Sequence, residues 1–127
     1  MKQVLLVGLG GCLGAVARYK LGGLVLHHST DWRFPLATFL VNALGCLVAG
    51  VLAGAVERYW AFSTDVRVFL FTGLLGGFTT FSAFGMETVF LLRRGQFGVA
   101  LAYVVLSVIC GVAGVWLGMV AIPRFKS

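Results

Sequence analysis

The densest group of chemistry-bearing residues lies in one apolar stretch: Gly73, Gly76, Gly77, Phe78, Thr79, Thr80, Phe81, Ser82, Phe84 and Gly85. Each glycine in a helix interior costs roughly 1 kcal/mol relative to alanine. The threonines that follow carry hydroxyls able to take over backbone partners. One outcome is a broken helix whose freed carbonyls suit a cation such as Na⁺. The other is an intact, tightly packed helix whose threonines bond back to the preceding turn. Phe81 and Phe84 are three apart and share a helical face. Such a pair commonly packs in a core or against lipid. Its alternative chemistry uses the positive ring edge, which can face an anion without the grip of a fixed cation. The N-terminus of a resumed half-helix would add positive potential nearby.

Other polar residues in apolar runs are few. Asn42 is a carboxamide deep in one run, with Thr38 one turn earlier on the same face. It is either an interhelical hydrogen-bonding group or an amide donor to a permeating anion. Tyr103 and Ser107 are four apart in another run, with Gly111 next on that face. Arg18 and Glu87 are the charges furthest inside apolar runs, and an ionisable residue there is a functional candidate by default. Arg18 could make an entrance positive, and Glu87 is expected to pair with a cation near its helix end. Cys12, Cys46 and Cys110 lie in three different runs without a C-x-x-C spacing. They read as small buried apolar residues rather than a disulfide framework or a metal site. The two histidines, His27 and His28, are adjacent, so on a helix they point apart. No nucleophile–base pair, phosphate loop or acidic pair is present, so an enzyme is not expected.

The elements that must position these groups are membrane helices. Of 127 residues, 60% are hydrophobic and 11% charged, against about 25% charged in an ordinary soluble domain. Mean hydropathy is +1.01. Four apolar runs are visible: 4–26 interrupted by Arg18 and Lys20, 34–56, 67–92 and 95–123. Each is long enough to cross a hydrocarbon core of about 30 Å as a helix. No alternation of polar and apolar residues suggests barrel strands. The expectation is a single four-helix transmembrane domain over 1–127, with short loops and Pro35 in the first turn of the second helix. The net charge of +6 does not point to nucleic acid, because the basic residues form no stripe. Five of the ten fall on each side of the membrane: Lys2, Arg58, Arg67, Arg124 and Lys126 against Arg18, Lys20, Arg33, Arg93 and Arg94. Orientation follows Lys/Arg asymmetry. Such balance suits either one unnoticed dominant end or insertion both ways, with opposite copies pairing. Eighteen glycines, with Gly10/Gly14, Gly73/Gly77 and Gly114/Gly118 four apart, predict close helix packing and an oligomer.

Three stretches together resemble the Fluc (CrcB-type) fluoride channel family. They are Gly11 through Tyr19 with Gly14, Ala15 and Arg18; Thr38 through Gly45 with Asn42; and Gly73 through Phe84. The resemblance covers essentially the whole chain. It implies an all-α bacterial inner-membrane protein whose third helix is broken mid-membrane, assembled as an antiparallel, dual-topology homodimer in lipid. It implies passive export of F⁻ through two pores per dimer. By motif position Phe81, Phe84 and Asn42 line each pore, with Thr38, Ser82, Tyr103 and Ser107 beside them and Arg18 near an entrance. Gly111 stands where some members carry a hydroxyl. The backbone carbonyls of Gly76 and Thr79, two from each subunit, are implied ligands of one central structural Na⁺. The alternative reading, a small four-span dual-topology drug exporter, needs a carboxylate in the first span, and none is there.

Overall fold

The computed structural model describes residues 1–60 and 62–123. Arg124 and Lys126, counted in the charge balance, lie outside the described residues. The chain is helical, with no strand among the described residues. Helix α1 is Lys2–His28 and α2 is Leu36–Tyr59. The third span, Thr64–Arg93, is two helices in line, α3 over residues 64–78 and α4 over Phe81–Arg93. Helix α5 is Phe97–Ala121. All four spans, of 27, 24, 30 and 25 residues, are long and apolar enough to cross a membrane.

Local chemistry sets the ends. The Ser29 N–H closes on the Leu26 carbonyl at 3.1 Å, and its hydroxyl closes on Val25 at 2.8 Å. Pro35 sits at the cap of α2 rather than inside its first turn, and its carbonyl accepts the first helical bond, from Phe39 N–H, at 3.1 Å. The short turn between α4 and α5 needs Gly95 at φ +71°, a conformation that glycine adopts without strain.

The helices pair as α1 with α3 and α2 with α5. Glycines set both crossings. A Cβ at Gly14 would overlap the Leu74 carbonyl, and one at Gly10 would sit 2.6 Å from the Phe69 carbonyl. Across α2 and α5, a Cβ at Gly118 would sit 2.5 Å from the Leu47 carbonyl. Close backbone approach of this kind holds helices together where lipid supplies no hydrophobic drive. Not every glycine serves it, since Gly8, Gly22, Gly23, Gly85 and Gly98 face open space.

Little of the chain is interior to itself. Val41, Leu75, Leu91, Ala100 and Tyr103 are the buried hydrophobics, while large side chains such as Leu9, Leu13, Phe81, Val112 and Trp116 are exposed. Cys46 and Cys110 are half-buried as small apolar residues, but Cys12 is exposed, contrary to the sequence expectation, because it turns away from the Gly10/Gly14 seam.

The break falls at the threonines, not at the glycines. Val68–Leu75 is wound as a π-helix, and Gly76–Phe78 stays helical. Thr79 (φ −84°, ψ 157°) and Thr80 (φ −148°, ψ 115°) are extended. Gly77 remains helical because its missing side chain lets α1 close on it, and a Cβ there would overlap Gly11.

Candidate functional site

The site is built on the two extended residues. Thr79 still closes the end of α3: its N–H reaches the Leu75 carbonyl at 2.9 Å, and its hydroxyl reaches the same oxygen at 3.0 Å. Thr80 opens α4 by capping, with its Oγ1 accepting the Ala83 N–H at 3.2 Å. A threonine at this position satisfies an amide left unpaired at a helix start. Of the two alternatives read from the sequence the broken helix holds, and the intact helix survives only in the bond of the Thr79 hydroxyl back to the preceding turn.

Asn42, on α2, holds the break open. Its Oδ1 accepts the Thr80 N–H at 2.8 Å, and its Nδ2 donates to the Thr80 carbonyl at 2.9 Å. One carboxamide thus replaces both helical partners of one residue, and its second N–H remains to be used. Arg18 serves the same segment from α1, donating through Nε to the Gly77 carbonyl at 3.1 Å. An unbroken helix would give that carbonyl the N–H of Phe81. The carbonyls of Gly76 and Thr79 lose their helical partners too. The N–H groups due to them, from Thr80 and Ala83, are taken by Asn42 and by the Thr80 hydroxyl.

A groove of about 280 Å³ opens beside the break. Asn42, Thr79, Thr80, Phe81, Phe84 and Ser107 line it, with Cys46 one turn beyond Asn42. The rings of Phe81 and Phe84 are 5.5 Å apart and tilted by 35°. Phe84 leans on Tyr103, 5.1 Å away, while Phe81 is 84% exposed and points out of the chain. The Ser107 hydroxyl is shielded yet has no hydrogen-bond partner among the described residues. A smaller cavity of about 130 Å³ lies on the other side of Thr80, bounded by Arg18, Gly22, Ala37, Thr38, Val41 and Ala83.

Thr38 and Tyr103 come together one helical turn beyond the groove, joined by a residue expected elsewhere. The Thr38 hydroxyl donates to Glu87 Oε1 at 2.7 Å, and the Tyr103 hydroxyl donates to Oε2 at 2.7 Å. Among the described residues Glu87 pairs with no cation, and the ion pair joins Lys2 and Asp65. The expected salt bridge gives way to hydroxyl donors because α4 turns Glu87 inward between α2 and α5. Ser82 is exposed, 3.4 Å from the Thr80 hydroxyl, and lines neither cavity. Two roles escaped the sequence reading, that of Thr80 as a cap and that of Glu87 as an acceptor of two hydroxyls. Thr80 carried one signal, a threonine directly before a resumed helix. Nothing local marked the partners of Glu87.

The arrangement offers an anion a graded set of weak donors: ring edges, an amide N–H and hydroxyls, with no full positive charge in the groove itself. Comparisons with known proteins identify the kind of protein this chain resembles. The model of the CrcB-like (camphor resistance) family matches residues 5–119. A protein of Methylobacillus flagellatus named a fluoride-specific ion channel is 59% identical over 118 residues, spanning 93% of this chain and 92% of its own length. A protein of the same name from Rhodospirillum centenum is 45% identical over 122 residues, 96% of each chain. Another, from Flavobacterium psychrophilum, is 43% identical over 120 residues, 94% of this chain and 96% of that one.

Proposed function

The chain belongs to the CrcB-like family, and from that premise we propose that it is a fluoride channel of a bacterial inner membrane, letting F⁻ leave the cytoplasm passively. The observation that carries this reading is the 59% identity, over 93% of the chain, to a protein named for that activity. The groove supplies the chemistry. Fluoride is small and strongly hydrated, so its water must be replaced stepwise. The free N–H of Asn42, the Ser107 hydroxyl and the edges of Phe81 and Phe84 are suited to do this, followed by Thr38 and Tyr103. None is a fixed cation, so release stays fast, as conduction requires. Arg18 lends positive potential beside the path, on the smaller cavity.

One copy does not enclose the path, because Phe81 is 84% exposed on an open groove. This supports a second copy completing the wall, with two pores per dimer. The even split of basic residues supports an antiparallel pair. The family also implies a central Na⁺, and the residues fit it. The Gly76 and Thr79 carbonyls have lost their helical N–H partners, and such oxygens suit a hard cation. These two carbonyls from each copy would hold the ion, which when bound supplies positive potential and ties the copies together.

The test is efflux from liposomes reconstituted with the purified chain. F⁻ should leave rapidly and Cl⁻ should not. Failure to release F⁻ overturns the reading.

A further inference from the structure

Glu87 is the acidic side chain inside an apolar span, and two hydroxyls rather than a cation hold it. A negative charge beside an anion's path looks counterproductive. Its placement explains it. The second and fourth spans cross the membrane in the same direction, so Thr38 and Tyr103 form the layer next to that of Asn42 and Ser107, each one turn earlier on its helix. Phe84 bridges the two layers, lining the groove and touching Tyr103. Thr38 also borders the cavity that holds Arg18. The Glu87 cluster therefore adjoins both spaces, the groove through Phe84 and the smaller cavity through Thr38.

We propose that Glu87 is a built-in surrogate anion: it occupies the two hydroxyls that a permeating F⁻ must take over, and so makes the path selective. Tyr103 has a single O–H. While that O–H donates to Glu87, it cannot donate to a passing ion. The Ser107 hydroxyl in the neighbouring layer has no partner among the described residues and is free to receive the ion first. The ion must next win a hydroxyl away from a carboxylate. A small, charge-dense anion competes well for such a donor. Chloride, larger and a weaker acceptor, does not. Glu87 acts here as a positioning residue that sets discrimination without gripping the ion. No proton changes owner, and the carboxylate recovers its hydroxyl when the ion leaves. Hydrogen bonds to charged groups are the stronger ones, so this competition bears directly on which anion passes.

The inference rests on the fluoride-channel reading, and one liposome experiment separates the two. F⁻ and Cl⁻ efflux are measured for the wild type and for Glu87→Gln, with chromatography of each to confirm its assembly. Glutamine keeps the shape but can accept at only one oxygen and carries no charge, so at least one hydroxyl is released to any anion. The Cl⁻-to-F⁻ flux ratio should rise by about tenfold, the worth of one hydrogen bond to a charged group. A well-assembled Glu87→Gln with the wild-type ratio overturns the proposal and leaves a merely structural Glu87. Should Glu87→Gln not assemble, Glu87→Asp carries the test. Its carboxylate is one methylene too short to hold both hydroxyls, so the ratio should again rise, and an unchanged ratio overturns the proposal. A wild type that releases no F⁻ removes the functional reading, and this inference with it.

Discussion

Replacing Asn42 by leucine deletes both hydrogen bonds that hold the third span open, at 2.8 and 2.9 Å to the N–H and carbonyl of Thr80. Two neutral hydrogen bonds contribute about 2 kcal/mol net, and the orphaned peptide groups raise the loss to as much as about 6 kcal/mol. The Thr80 N–H then has one natural alternative, the Gly76 carbonyl four residues back. Taking it closes the helix through the break and regains about 1 kcal/mol. The balance between open and closed segments should therefore shift by about 1–5 kcal/mol, fivefold at least. In the closed form the Gly76 carbonyl is no longer free for a cation, and Phe81 turns off the groove. Asn42→Asp separates geometry from charge. It keeps an acceptor for the Thr80 N–H, so the span stays open, but it sets an anion beside the path. Liposome efflux should show little F⁻ release from either variant. Carbon chemical shifts of Thr79 and Thr80 in lipid should move from extended to helical values only in Asn42→Leu. A leucine variant that conducts F⁻ within about twofold of wild type, with Thr80 still extended, would refute the clamp and the magnitude built on it.

The remaining expectations concern the pore rings, the cation and the helix seam. Phe81→Ile and Phe84→Ile each keep an apolar side chain but remove the positive ring edge, so each should cut F⁻ efflux by about tenfold or more. Phe97→Ile, on an exposed face of α5, should leave efflux near the wild-type rate. Withdrawing Na⁺ should lower F⁻ flux, while Thr79→Ala should conduct nearly as well as wild type because the proposed ligand is a carbonyl; insensitivity of flux to Na⁺ argues against the bound cation. Gly14→Ala places a methyl against the Leu74 carbonyl and should destabilise the chain by about 1–3 kcal/mol or more. Gly98→Ala, with open space around it, should leave the thermal midpoint unchanged or raise it slightly.

What could be read without the structure was what depends on local pattern. The spans follow from runs of hydropathy, and their observed ends lie close to the charges that bound those runs. The seam between α1 and α3 follows from small residues four apart. The stretch that breaks was legible too, but not which of its residues become extended, because a group 38 residues away decides that. Gly76 and Gly77 are the residues that weaken a helix locally, yet they stay helical under the pressure of α1. Thr79 and Thr80, which local propensity ranks as milder, become extended because Asn42 offers one of them both a donor and an acceptor. Glu87 makes the same point with the opposite outcome. Read along the chain, it sits six residues before Arg93 at a helix end, and a salt bridge is the natural guess. In three dimensions its helix faces α2 and α5, where Thr38 and Tyr103 supply hydroxyls and no cation among the described residues pairs with it. A sparse polar residue in an apolar span is therefore easy to find and hard to assign. Lipid offers it no partner, so whichever partner the fold supplies becomes its function. At Asn42 that partner is the backbone of Thr80, and the result is a break. At Glu87 it is a pair of hydroxyls, one of them on the Tyr103 ring against which Phe84 of the groove wall packs.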